Sequence, residues 1–231
     1  MAITYPRPLP GLMLYSETAF DLDQGTDDPV RFRGGAVQVA NRFHPSWRAR
    51  FSSPSIFDRN AVLELKTWFD TLRGGGKTFL AHDQARPRPK AYATDAAITS
   101  LTRASVGGAF DGTFEITSFP DAYGIACQNA AALRLPNGFT MTEGDYIGIV
   151  QSGRYSLHRV TETISANGNG NYTIASGGVR LEPFAATNIF TAGAIANVIK
   201  PLAQFIPVPG SFEGDPSVEL SSVSFAGVSV I

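Results

Sequence analysis

Charge is scarce in this chain, and cysteine scarcer. Only 17% of the 231 residues are charged, and the 19 Lys and Arg nearly balance the 20 Asp and Glu, for a formal net charge of −1. Such a balance exerts no long-range pull on phosphate backbones or anionic headgroups, which argues against nucleic acid or a membrane surface as the main partner. The single Cys127 can form no intrachain disulfide, and no Cys/His cluster has zinc spacing. Its neighbours Ile125, Ala126 and Ala130 to Ala132 point to a small buried side chain, with nothing nearby to lower the thiol pKa as a catalytic cysteine requires. No apolar run reaches the roughly 18 residues of a membrane span. Prolines interrupt the opening MAITYPRPLPG where a signal peptide needs an apolar stretch. The expectation is a chain made in a reducing cytosol that stays soluble and is not inserted into a membrane.

Turn formers are plentiful instead. The 23 glycines and 15 prolines fall at short intervals, the punctuation of many short strands, so the expected fold class is mainly β. One segment departs from this. From Asp58 to Leu72 the apolar residues Val62, Leu65, Trp68, Phe69 and Leu72 recur at helical steps, with Asp58 placed to cap the start and Gly74 to end the helix. Before it, Trp47, Ala49 and Phe51 alternate with Arg48 and Arg50, the pattern of a half-buried strand, and Val37 and Val39 alternate similarly. Asp21 to Pro29 (DLDQGTDDP) reads as an exposed acidic loop. Thr78 to Ala81 resumes strand character, while Gln84 to Lys90 (QARPRPK) alternates proline with basic residues and suits a sheet edge or a linker. Further strands are expected at Gly112 to Phe119, Ile125 to Leu135, Tyr146 to Val150, Tyr155 to Thr161, Tyr172 to Ala175, Ala194 to Ile199 and Val218 to Val230. Ser165 to Asn171 (SANGNGN) reads as a hairpin tip.

The motifs that look chemical have plainer readings. GGGKT at Gly74 to Thr78 resembles the end of a phosphate-binding loop, but Thr71 stands where that loop needs its first glycine. The glycines also follow a helix and precede a strand, the reverse of the order that aims a helix amino terminus at phosphate. His44, His82 and His158 lie on unrelated segments, and only His82 has an acid beside it, Asp83. No GxSxG or HExxH is present. Glu143 and Asp145 in TEGDYIGIV fall on one strand face or in one turn, whereas glycoside hydrolysis needs opposed carboxylates. The chain is therefore expected to be no enzyme and to hold no cofactor or metal.

Three stretches, read together, resemble the distal tail protein of long-tailed bacteriophages and related tail-derived particles. The first is Trp47 to Asp83, WRARFSS and then a helix ending LKTWFDTLRGGGKTFLAHD. The second is Met141 to Gly170, where TEGDYIGIV leads into the histidine-bearing YSLHRVTETISANGNG. The third is the alternating ending VELSSVSFAGVSV at Val218 to Val230, with Gly227 near the place where the family's last strand carries an acid. The resemblance implies a tail-tube-like β-sandwich or barrel over residues 1–95 with one flanking helix at about 58–72. It further implies a second small β-barrel over 96–205 and a C-terminal strand, 206–231, returning to the first domain.

By the same resemblance the chain would form a ring, six-fold in this family, at the tip of the virion tail after assembly in the host cytoplasm. Its partners would be copies of itself, the tail-tube protein, the baseplate hub or central fibre, and the tape-measure protein. Ring closure needs two complementary faces per subunit. The residues expected at the tube or neighbour contact are Asp21, Asp23, Asp27 and Asp28, facing Arg31 and Arg33, since opposite charges on adjacent segments can pair across a ring. An alternative from another class is a carbohydrate-binding module for host-surface glycans, with Trp47, Trp68, Tyr92, Tyr123 and Tyr172 as candidate stacking platforms if exposed. A tail-tube subunit is a third reading, which leaves the second barrel unexplained.

Overall fold

Turn residues break the chain every few positions, and the strands are correspondingly short. The structure is a computed structural model that describes residues 3–10, 17–24, 30–31, 37–38, 45–54, 58–121, 123–127, 133–172, 179–183, 185–214 and 222–230. In chain order come β1 (Arg7–Pro8), β2 (Glu17–Asp23), β3 (Val30–Arg31), β4 (Val37–Gln38) and β5 (Ser46–Ser52), then helix α1 (Arg59–Asp70), β6 (Phe79–Ala81) and the short helix α2 (Asp95–Thr99). There follow β7 (Thr113–Ile116), β8 (Ser118–Asp121), β9 (Gly124–Ala126), β10 (Thr140–Met141), β11 (Tyr146–Gln151) and β12 (Arg154–Val160). The remaining described strands are β13 (Ile164–Ser165), β14 (Val179–Glu182), β15 (Ala194–Asn197), β16 (Ala203–Pro207) and β17 (Ser224–Ser229). The fold is mainly β, with one flanking helix and a second, barrel-like sheet.

Contacts group the chain into two compact units. One holds Met1–Tyr5, Pro10–Phe79 and Phe205–Val230; the other holds Pro6–Leu9 and Leu80–Gln204. The change of unit thus falls at Phe79, earlier than residue 95. Local bonding accounts for the difference, because Lys90 and Tyr92 are hydrogen-bonded to Asp145 and Thr140 of the second unit.

The six-stranded sheet runs β1-β6-β16-β17-β5-β2. Its best-formed part is antiparallel, with Phe225 of β17 opposite Phe51 of β5, and Phe51 opposite Thr18 of β2. Alternation along β5 buries Trp47, Ala49 and Phe51 and turns Arg48 and Arg50 outward. Phenylalanine fills the covered face: Phe51 stacks on Phe225 at 5.1 Å and Phe79 on Phe205 at 5.6 Å. Gly227, where the family's last strand carries an acid, faces this cluster, and a Cβ there would stand 2.9 Å from the Phe79 ring. No side chain fits.

Helix α1 covers the cluster with the stripe read from its sequence, Val62, Leu65, Trp68 and Phe69 being buried. Asp58, in extended backbone, accepts a hydrogen bond from the Asn60 N–H at 2.9 Å and caps the start. The helix stops at Asp70, short of the expected Leu72, because the Thr71 hydroxyl donates to the Trp68 carbonyl and a 3-10 turn, Arg73–Gly75, follows. Arg73 and Gly74 both take left-handed backbone there, φ 53° and 57°. Trp68 meets Phe79 and Phe225, and Phe69 meets Phe225 and Phe212.

Asp21 to Pro29 is not a loop throughout, as its charge suggested. Glu17–Asp23 forms β2, paired residue for residue with β5. The acids mislead because β2 is the outer strand of the described sheet, where one face carries charge freely while Phe20 turns inward against Phe51 and Phe205.

In the second unit seven strands run β7-β15-β11-β12-β14-β9-β8. The two end strands, β7 and β8, are consecutive in the chain and separated by Thr117 alone, so one extended segment borders both ends of the sheet. The sheet therefore nearly closes on itself, a small barrel. Its interior is filled by Phe114, Ile116, Ile147, Ile149, Leu181 and Phe190 among others. Strand β11 is buried on both faces, since Tyr146 lies under Arg86 while the Leu202 backbone crosses Gly148.

Outside the regular strands, Ser165 to Asn171 forms a tight turn, with the Gly170 N–H bonded to the Asn167 carbonyl. β13 before it pairs with β10, and Tyr172 after it bridges Cys127; the rest of the expected strand, to Ala175, lies outside the described residues. Strands β14 and β16 and helix α2 were not anticipated.

Candidate functional site

Of the six expected contact residues, Asp21 and Asp23 lie on β2, facing β5. Asp23 is engaged within the chain, its carboxylate 2.6 Å from the Arg48 guanidinium. The Arg48 side chain is 67% exposed, so water screens this pair and its worth is about 0–1 kcal/mol. Arg31 lies on β3, its backbone opposite Val37 of β4. Asp27, Asp28 and Arg33 lie outside the described residues, as does His44.

The other sites singled out from sequence are held as structural parts. Glu143 and Asp145 share the turn before β11, as one of the two sequence readings had it. Asp145 is buried and accepts from the backbone N–H groups of Thr142 at 2.6 Å and Lys90 at 2.9 Å, fastening two segments of the second unit. His158 is fully buried, with Nδ1 2.7 Å from the Pro183 carbonyl. His82 is half-buried and its pKa is lowered, by desolvation first and by the Lys200 charge second, against the opposing pull of Asp83 and Asp95. Among the described residues no group of three or more His, Cys, Asp or Glu is arranged to hold a metal. Cys127 is buried, and burial pushes its thiol up to about 11.

Of the five candidate stacking aromatics, Trp47, Trp68 and Tyr172 are buried. Tyr92 stacks on Phe139 at 5.0 Å, and its hydroxyl accepts from the Thr140 N–H. Tyr123 is exposed.

A polar cleft that no sequence motif marked lies in the second unit. The QARPRPK segment forms one wall, through Arg86 and Lys90, and Glu143, Arg159 and Glu182 line it further. Its only sequence signal was the alternation of proline with basic residues, which presents cations from a chain that cannot take a full ladder of backbone bonds.

Fold and surfaces together define a mainly β protein in which a barrel is inserted into the chain between β6 and β16, with no helix among the described residues long and apolar enough to cross a membrane. No family model and no curated protein sequence matches the chain.

Proposed function

We propose that the chain is a structural subunit of a bacteriophage tail tip, forming a six-fold ring that joins the tail tube to the baseplate hub or central fibre. In this reading it catalyses no reaction and holds no cofactor. One observation carries it: β17, from the end of the chain, lies between β16 and β5, at the centre of the first sheet. The barrel is thus an insertion in a β domain that only the C-terminal strand completes, which is the organisation that the three resembling stretches imply. The aromatic accounting favours the same reading over glycan stacking, since four of the five candidate platforms are spent in packing. Ring closure would also protect outer strands such as β2 from uncontrolled pairing.

The test is the mass of the purified full-length chain by light scattering and native mass spectrometry. A closed particle of six 24.7 kDa protomers is expected. A chain that stays monomeric up to roughly 100 μM, well above the Kd of a stable interface, would overturn the proposal.

A further inference from the structure

The cleft of the second unit encloses about 660 Å³, within the 300–1,000 Å³ or so of small-ligand sites. Its two mobile cations are held in place from behind. The Lys90 backbone N–H donates to buried Asp145 at 2.9 Å, and its ammonium donates to the Glu143 carbonyl at 2.7 Å. The Arg86 guanidinium lies 5.1 Å over the Tyr146 ring and donates to that hydroxyl at 3.1 Å. Most N–H donors of both groups remain unspent. Neither is ion-paired with a carboxylate among the described residues, whereas Arg159, also in the lining, is matched by Glu182 at 2.6 Å. Gly144, at φ +85°, leaves room for the ammonium: a Cβ there would stand 2.9 Å from Lys90 Nζ.

We propose that this cleft binds an acidic sugar, with the sugar carboxylate held between Arg86 and Lys90 and its hydroxyls donating to the Glu143 and Glu182 carboxylates that share the lining. The lining decides among anions. Val160 is the one apolar residue of the lining and is itself fully buried in the core, so the occupant carries little apolar surface and many hydrogen-bonding groups. Three cations and two carboxylates in the lining draw an anionic group and also offer acceptors to hydroxyls. One carboxylate on a ring of hydroxyls satisfies both sets of groups; an acidic peptide supplies the carboxylate without the hydroxyl donors. The site lies wholly within one unit of one chain and does not depend on ring assembly.

The experiment titrates the full-length protein with D-glucuronate, N-acetylneuraminate, D-glucose, inorganic phosphate and a triglutamate peptide, read by saturation-transfer NMR and calorimetry. Expected is saturable millimolar binding of at least one acidic sugar, with glucose, phosphate and triglutamate each about tenfold weaker or more. Arg86→Met and Lys90→Met should each weaken that binding about tenfold, by loss of a charge-assisted contact, with at most a small fall in thermal midpoint from the lost contacts to Tyr146 and Glu143. No acidic-sugar saturation by roughly 50 mM, a regime where an affinity below −2 kcal/mol would still register, overturns the proposal. So does binding of glucose, phosphate or the peptide as tight as that of the sugar acids, or undiminished binding by the double variant. If either variant melts early, the ligand series on the unaltered protein decides alone.

Discussion

Replacing Trp68 with alanine probes whether α1 is part of the core of the first unit or a face presented to a neighbour. Trp68 is 6% exposed, with its ring centroid 5.6 Å from Phe79 and 5.8 Å from Phe225. Truncation removes the transfer free energy of the indole and leaves a cavity under β6 and β17, together about 3–5 kcal/mol; the two aromatic contacts lie within that figure, at about 0.5–1.5 kcal/mol each. Both tryptophans of the chain lie in the first unit. Trp47, which is 2% exposed, therefore remains to report unfolding of that unit alone. With a guanidinium m-value of roughly 3 kcal/mol/M, the Trp47 fluorescence midpoint should fall by about 1–1.7 M. The transition of the second unit, followed by tyrosine absorbance, should move little. An unchanged midpoint would refute the burial reasoning, and loss of assembly without loss of stability would mean that Trp68 belongs to an interface.

Two further predictions concern the second unit. Because burial raises the Cys127 thiol to about 11 from 9.0, the folded chain keeps a proton that the unfolded chain releases; the associated stability is complete below about pH 9 and is lost as pH climbs through 11. The urea midpoint of the unaltered protein should therefore decline more steeply over that window than that of Cys127→Ala, and parallel slopes would refute it. Gly170 has φ +70°, and a Cβ on it would stand 2.1 Å from the Leu135 carbonyl oxygen and 2.9 Å from Ala104 Cβ. Backbone cannot yield as a side chain can, so Gly170→Ala should destabilise the second unit by more than about 2 kcal/mol. A thermal midpoint within a degree or so of the unaltered protein would contradict this.

How far the fold could be read in advance depended on whether one face of a segment was apolar. Trp47, Ala49 and Phe51 alternate cleanly, and the Val62 to Phe69 stripe has helical period, so β5 and α1 were legible. β2 was not, because Asp21 and Asp23 mask the alternation of Phe20 and Leu22 on an outer strand whose other face is free to carry charge. β16, AQFIP, ends in proline, and β14 is a run of four residues; neither is long enough to announce a period. The cleft was invisible for a different reason. Arg86, Lys90, Glu143, Arg159 and Glu182 are spread along much of the second unit's sequence, and only the antiparallel register of Arg159 with Glu182 and the bond from Lys90 to Asp145 bring them to one place.

Strand register likewise decides which charges on the first sheet are met within the chain. Arg48 and Arg50 share the outward face of β5, yet their surroundings differ. Arg48 has Asp21 directly opposite on β2 and bonds to Asp23 diagonally, so its charge is met inside the subunit. Arg50 has Ala19 on one side and Ala226 on the other, is exposed, and has no ion pair among the described residues. In a ring built from head-to-tail contacts each subunit offers a face that its own other face complements, and a cation with no ion pair among the described residues can receive a carboxylate from the next copy. On the tail-tip reading, Arg50→Glu should abolish the hexamer while shifting subunit stability by no more than about 0.5 kcal/mol. Asp23→Asn, which removes only a screened internal pair, should leave the hexamer intact. An Arg50→Glu chain that still runs at six protomers would exclude the outward face of β5 from the ring contact.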